Sequence, residues 1–502
     1  MESFEKHGIW FLPESPNTQI YGKLLFSSVQ MPTLKLAGEL KEFDIKQKLE
    51  EDITYSVING YLIGEKGEDK ITLCNGSQKK EFRTGIQTSE IYIEYILKGY
   101  HFSSLDEINF NTLEVQYSYL EKWVNLPNVT INCIKNQEQS DTFKEINLQQ
   151  RLNEKIEIGK LNDCSISIID EPWFGSSFLN FANLFGWNSS EILLKEQKRI
   201  IIRSEEGKKI NDLLITASSF QEFLTFACGQ IISILQVKTY IIAKTKDFET
   251  QLNDGNIEVK EIEKEKRFLI EIYYQASSPL IERQNFDSRQ ILFNFNDISS
   301  KTNIILRNWE LNQEKLKSVI ELYLRLYYTP VCHVNDLFLS LAQAIEGFHR
   351  IHHQGKYCKD EIFDDIKKSL KETLLSKLIE HSLDCYQDSL VAKINYWNEY
   401  SLKERLENLF NDSDFYACLP KNFFPNSEDQ KNFIKQVRDT RGSLSHPDSN
   451  NSNKTIKPSK YIVSGRDLNN LIYKLRIIIE ICLLKTLGLD SSSIKPMINK
   501  RF

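Results

Sequence analysis

Two side chains able to work on a phosphodiester sit five positions apart late in the sequence. They are Arg441 and His446, in the run Arg441-Gly442-Ser443-Leu444-Ser445-His446. At about 100° per residue, Phe433, Val437, Arg441 and Leu444 share one stripe of a helix. That puts a guanidinium on an apolar, inward or interface face, where an unpaired charge is costly and an anion is needed. Phosphate is one such anion, because the planar fork matches its oxygens two at a time. A buried carboxylate is another. His446 lies about 140° further round an ideal helix, so the pair converges only if the helix ends or bends there. Pro447 favours an end, since a residue before proline is biased away from helical angles. At a helix C-terminus the dipole favours protonated imidazole. An imidazole titrating near neutrality beside a phosphate-gripping arginine suits general acid–base cleavage of RNA, in which the ribose 2′-OH is the nucleophile and no metal is needed. Spacing alone leaves this open against a carboxylate-paired Arg441 and a His446 that caps its own helix.

Other constellations read more plainly. Glu346 and His349 form a Glu-x-x-His pair with His353 one turn on, but no second copy accompanies it, as a di-metal bundle requires. Arg350 at i+4 is a sufficient partner for Glu346, and no metal is expected. His352 and His353 read as a solvated helix end. Between residues 431 and 480 ten Lys or Arg face four acids, a local balance of 10 − 4 = +6 against −6 for the whole chain. Such a patch draws a phosphate backbone, and Lys435, Lys454, Lys457 and Lys460 are the candidate contacts; a solvated basic face is the alternative. Tyr92, Tyr95 and Tyr100 read as sheet packing rather than a ligand platform.

The elements that must position these residues change character near residue 300. Before it, strand signals dominate: 9–12, 20–26, 34–40, a hairpin over 57–73 turning at 65–69, 108–110, 113–119, 155–169, 199–203, 237–243 and 267–274. One helix is expected at 219–235. After residue 300 the period is helical, with helices expected at 309–328, 335–353, 360–383, 389–410, 427–446 and 466–487. Residues 448–460 read as a polar loop. The expected fold is α+β and multidomain: a β-rich sandwich or barrel-like region over 1–300, with a division into two lobes near 155 left open, then an all-α bundle over 305–489.

Composition sets outer limits. The chain has 502 residues, 41% hydrophobic and 26% charged, enough for a sizeable core and unlike a disordered or collagenous protein. A net charge of −6 excludes a wholly basic packaging protein. Nine scattered cysteines with no Cys-x-x-Cys pair suggest reduced thiols. The acidic start Met1-Glu2-Ser3-Phe4-Glu5 is unlike a secretory leader, and the apolar run 231–243 is too short to span a bilayer. A cytoplasmic protein without a membrane partner is expected.

The run 441–446 resembles the Arg-x(4–6)-His motif of HEPN domains. Asp439-Thr440-Arg441 and Leu444-x-His446 resemble the Apea-like branch, as does Leu341-Ala342-Gln343-Ala344-Ile345-Glu346-Gly347-Phe348-His349-Arg350 upstream. The N-terminal region is similar to the ApeA N-terminal domain through Gly8-Ile9-Trp10-Phe11-Leu12-Pro13, Gly22-Lys23-Leu24, Ile71-Thr72-Leu73, Gly99-Tyr100-His101-Phe102 and Trp123. The resemblance covers most of the chain. It implies an anti-phage defence effector: a metal-independent endoribonuclease without cofactor, acting on RNA, with tRNA among the candidates. It implies a homodimer or higher homo-oligomer that faces two motifs across one composite site, and an N-terminal region that senses a phage-derived trigger or regulates. Arg441 and His446 would be catalytic; Glu346, Asp439 and Arg438 would orient the groove. HEPN nucleases commonly carry Asn, Asp or His straight after the Arg, where this chain has Gly442. That departure keeps open a catalytically inactive dimerisation or RNA-binding module.

Overall fold

The structure, a computed structural model, describes residues 1–41, 53–64, 67–78, 88–126, 129–135, 143–150, 155–171, 197–253, 256–276, 290–328, 333–353, 355–445 and 459–501. The chain divides into two compact units, Met1–Arg307 and Asn308–Phe502.

In the first unit, β1 (Phe4–Leu12), β2 (Ser15–Ser27), β3 (Gln30–Leu36), β4 (Ile53–Gly64), β5 (Gly67–Gln78) and β6 (Ser89–Tyr92) pair antiparallel. The order β5-β4-β1-β2-β3-β6 returns to β5, closing a six-stranded barrel. Closure removes the exposed sheet edges that would otherwise invite aggregation. From β5 the sheet continues through β7 (Tyr95–Lys98), reaching β15 (Asn256–Tyr274), β14 (Ile234–Asn253), β8 (Asn109–Tyr117), β13 (Gln197–Lys209), β12 (Cys164–Glu171) and β11 (Ile156–Leu161). A separate hairpin joins β9 (Val129–Lys135) to β10 (Phe143–Gln150).

Alternation along the barrel strands sends Trp10, Leu24, Leu34, Ile58, Ile71 and Ile91 into one core. Trp10 is fully buried and lies flat on the barrel wall because glycines leave room for it. A Cβ on Gly60, its partner across β4, would collide with the indole; on Gly22 it would meet Leu36 and the Lys35 carbonyl at 2.6 Å. The extended sheet is covered by α1 (Leu120–Val124), α2 (Ile210–Cys228) and α3 (Phe295–Ile298). Their aromatic cluster joins Trp123, Phe220, Phe223, Phe293 and Phe295 at 5.8–6.1 Å.

The sequence reading differs here in two ways. The helix expected at 219–235 runs Ile210–Cys228 and stops at Gly229, whose φ of 65° suits a glycine cap; Ile231 and Ile232 follow in irregular chain, and β14 begins at Ile234. The strands expected at 237–243 and 267–274 are the bases of one long hairpin, registered from Lys238↔Glu271 to Asn253↔Asn256. Its outer half carries charged residues on both strands, among them Lys246, Asp247, Glu249, Glu258, Lys260 and Glu261, interspersed with Phe248, Leu252, Ile257, Val259 and Ile262.

The second unit is helical. The helices of this region are α4 (Thr302–Gln313), α5 (Lys317–Tyr328), α6 (Val334–His353), α7 (Asp360–Glu380), α8 (Gln387–Ile394), α9 (Leu402–Asn411), α10 (Ser413–Cys418), α11 (Ser427–Ser445), α12 (Gly465–Thr486) and α13 (Ser491–Asn499). Phe338, Leu341, Ile345, Leu475, Ile478 and Ile481 form its centre. The expected single helix 309–328 is broken between Gln313 and Lys317, where the polar stretch 312–315 offers no continuous apolar stripe. The expected 389–410 is two helices, because Ser401 and Glu404 form a capping box that starts α9 afresh. A last helix, α13, follows Gly488 with Asp490 as its N-cap, and the sequence reading missed it. Residues 355–400 form a helical excursion whose ends are tied: Tyr400 N donates to Gly355 O at 2.7 Å and Tyr357 N to Asn398 O at 3.0 Å.

Gly60→Ala is expected to lower the stability of the β-rich unit by about 1–3 kcal/mol through overpacking against Trp10. Urea unfolding monitored on that unit checks this; an unchanged midpoint would contradict the wall-packing account.

Candidate functional site

The segment carrying Arg441 is α11. Its buried face holds Phe433, Ile434, Val437 and Thr440. Arg441 is at the border of that face, 38% exposed, and its Nη2 lies 3.6 Å from Glu346 Oε2 on α6. The inward-facing arginine has therefore found a carboxylate, at long range and in partial contact with solvent. The sequence reading paired Glu346 with Arg350. Instead, Arg350 reaches Glu399 Oε2 at 2.9 and 3.1 Å, because the 355–400 excursion brings that acid alongside α6.

α11 ends at Ser445. Residues 446–458, with His446, Lys454 and Lys457, lie outside the described residues. From Ser459 the chain runs back along α11. Ser459 Oγ donates to Asp439 Oδ2 at 2.5 Å, Val463 N donates to Thr440 Oγ1 at 3.1 Å, and Lys435 Nζ lies 3.4 Å from Tyr461 OH. Asp439 also accepts from Arg438 Nε at 2.6 Å. Burial works against the Asp439 charge, but hydrogen bonds from Arg438 and Ser459 outweigh it and hold its carboxyl below the ordinary value. Asp439 and Arg438 thus secure the returning strap. The ends of the intervening segment are held within about two helical turns of each other. Thr440, Ser459 and Tyr461 were missed in the sequence because nothing local marks a strap; only the return of the chain gives them partners.

Among the described residues a Cβ at Gly442 would meet nothing within 4 Å, so no packing there calls for the glycine. The basic balance is smaller than the count suggested. Lys474 donates to Phe423 O at 3.0 Å and sits over the rings of Phe423, Phe424 and Phe433 at 5.0–5.8 Å. Arg476 is committed to Glu480 at 2.9 Å. Among the described residues Lys431, Lys435, Lys460 and Arg466 have no carboxylate partner. Lys435 and Lys460 both lie over the Tyr461 ring, at 5.1 and 5.2 Å.

His349 is fully buried and both nitrogens are engaged. Arg405 Nη1 faces Nδ1 at 3.2 Å, which makes Nδ1 the acceptor and Nε2 the donor to Asn408 Oδ1 at 2.9 Å. Burial lowers its pKa to about 4, against an ordinary value near 6.5. A neutral imidazole with both edges occupied joins α6 to α9 and offers no lone pair to a ligand. His352 and His353 are exposed and stack on Phe348 and His349. Tyr95 is buried in the sheet, while Tyr92 and Tyr100 are half-buried. No helix among the described residues is long and apolar enough to cross a membrane.

Comparison with known proteins matches both parts of the chain. The family model for ApeA N-terminal domain 1 matches residues 5–309, and that for Apea-like HEPN matches residues 339–493. No curated protein and no solved structure matches the chain.

Two outcomes test these local readings. An unfolded histidine binds protons below about pH 6.5 that folded His349 refuses until about pH 4, so stability should fall as pH drops between them. His349→Gln should flatten that fall in a pH series of denaturation curves. Gly442→Ala should raise helical-unit stability by about 0.5–1 kcal/mol, since it removes backbone freedom without a clash; thermal unfolding measures it.

Proposed function

The chain belongs to the family defined by ApeA N-terminal domain 1 and carries an Apea-like HEPN domain behind it, the architecture of anti-phage defence effectors of the nuclease class, and from that premise we propose that its helical unit cuts RNA. HEPN domains commonly bind RNA and dimerise. The observation that carries the reading is Arg441: a half-exposed guanidinium in the last turns of α11, engaged by one carboxylate at 3.6 Å and five residues before His446. A phosphate can add to that guanidinium without first breaking a tight buried pair.

The chemistry needs no metal. His446 takes the proton of a ribose 2′-OH, the 2′-oxygen attacks the adjacent phosphorus, and the bond to the 5′-oxygen breaks. A protonated imidazole returns a proton to the leaving 5′-oxygen, and the products carry a 2′,3′-cyclic phosphate and a 5′-hydroxyl. Arg441 grips the non-bridging oxygens and stabilises the charge that builds on them. In a homodimer with facing motifs, Arg441 of one protomer works with His446 of the other, which removes the angular separation of the two on one helix. Lys435 and Lys460, with Lys454 and Lys457, bind the flanking backbone. Glu346 orients Arg441, and Asp439 with Arg438 keeps the strap in place. The β-rich unit senses infection or restrains the nuclease, and RNA loss, tRNA included, halts the infected cell.

A second reading, an inactive dimerisation or RNA-binding module, is favoured by Gly442 in place of a polar residue. Arg441→Ala and His446→Ala are each expected to cut RNA cleavage at least about 100-fold while the protein stays folded, and chelators are expected to leave the wild-type rate unchanged. Sequencing of RNA ends from cells expressing each protein reads the outcome. Cleavage retained in both variants rejects the assignment; RNA bound and never cut, with the trigger present, supports the module.

A further inference from the structure

The chain that returns along α11 makes a tight turn as it arrives. Ile462 N donates to Ser459 O at 3.1 Å, and Tyr461 N donates to Ser459 Oγ at 3.2 Å. The same hydroxyl is pinned to α11 through Asp439. The turn therefore fixes the backbone of Tyr461 beside the helix, and the half-buried Tyr461 side chain rests against Lys435.

Two ammonium groups meet on that ring. Lys435 Nζ lies 5.1 Å from its centroid and Lys460 Nζ 5.2 Å. Lys435 Nζ also donates to Tyr461 OH at 3.4 Å. Like charges gathered in one place repel, and the electron-rich face of the ring offsets that repulsion. The acid that spacing would offer Lys435 is Asp439, one turn further along α11. Its carboxylate is taken instead by Arg438 at 2.6 Å and by Ser459. Among the described residues neither lysine has a carboxylate within ion-pair reach. Lys460 is exposed and Lys435 half-buried, so solvent and a ligand can reach both.

We propose that Tyr461 is a positioning residue for RNA: its ring gathers the Lys435 and Lys460 ammoniums into one site for the sugar–phosphate backbone, apart from the phosphate held by Arg441. Arg441 stands six residues beyond Lys435, about 9 Å along the helix and about 120° round it, so the two cations address different phosphates. The ring acts through the lysines and does not itself stack on a base. This rests on the RNA-binding part of the reading above, and it adds a residue that touches no substrate.

The test measures binding of a single-stranded RNA oligonucleotide of mixed sequence, over a series of salt concentrations, to full-length protein carrying His446→Ala, so that nothing is cut. Tyr461→Phe, which keeps the ring, should bind within about twofold of the parent with the same salt dependence. Tyr461→Leu should bind about fivefold more weakly, and its slope of log affinity against log salt should be shallower by about 1. In a Lys435→Gln, Lys460→Gln background, Tyr461→Leu should cost less than about twofold, because the ring has nothing left to position. A fivefold cost that persists there means that the ring meets RNA directly or serves only the fold, and it overturns the proposal. An unchanged affinity or slope in Tyr461→Leu overturns it too. Should Tyr461→Leu fail to fold, Lys435→Gln and Lys460→Gln decide: each should weaken binding about threefold and make the slope shallower by about 0.7, and an unchanged slope in either overturns the proposal. A parent that binds no RNA overturns it as well. RNA that is bound but never cut by wild type retires the ribonuclease reading and leaves the Tyr461 site standing; RNA that is bound and cut, with Tyr461→Leu unchanged, removes only the role of Tyr461.

Discussion

A guanidinium proposed to grip a phosphate, as Arg441 is, must be held in place without being neutralised. The Arg441–Glu346 contact is compatible with that requirement, being long and partly wet. An exposed pair of this kind is worth about 0–1 kcal/mol, little enough for a phosphate to displace or join. The contrast lies in the same bundle. Glu480 is fully buried, and a single oxygen of it accepts from Tyr323 at 2.7 Å, Arg476 at 2.9 Å and Arg501. Breaking a buried pair such as that costs about 3–5 kcal/mol. One carboxylate locks the C-terminal segment to α12, whereas the other leaves its arginine available.

The remainder of the helical unit can be read as support for that arrangement. α11 buries Phe433, Ile434 and Val437 against the bundle and uses Asp439 and Thr440 to receive the returning strap. Both functions come from one helix, so the motif cannot drift from either. The cationic surface is likewise sorted by packing. Lys474 and Arg476 are consumed by aromatic rings, a carbonyl and Glu480, while Lys435 and Lys460 gather on Tyr461 beside the strap. The basic region is thus smaller than the sequence count, and it is concentrated next to α11.

The β-rich unit shows the same economy of means. A flat tryptophan needs a wall without side chains, and Gly60 and Gly22 provide it on the neighbouring strands. Six strands then close on themselves, and the sheet grows outward from β5, which pairs with both β6 and β7. The surplus strands leave the barrel at that shared member, so one strand serves the closed and the open parts together.

How much of this the residues disclose in advance depends on range. Period-two and period-3.6 patterns separate a β-rich first part from a helical second part, because burial of one face imposes them locally. The runs around Trp10 and Arg441 carry the family resemblance for the same reason: they are contiguous. Breaks in helices were not legible even where a glycine or a cap marks them, as at Gly229 and Ser401, and the outer half of the long hairpin was not read as strand because charged residues interrupt its apolar pattern. The contacts of Glu346 with Arg441, of Arg405 with His349 and of Asp439 with Ser459 were beyond reach, since each joins elements well separated along the chain. The sequence by itself determined which groups are at hand, a guanidinium and an imidazole five positions apart late in the chain. The tertiary structure alone decided which carboxylate meets that guanidinium and that Arg350 turns instead to Glu399, because charge pairing in a partly desolvated site is a property of neighbours in space.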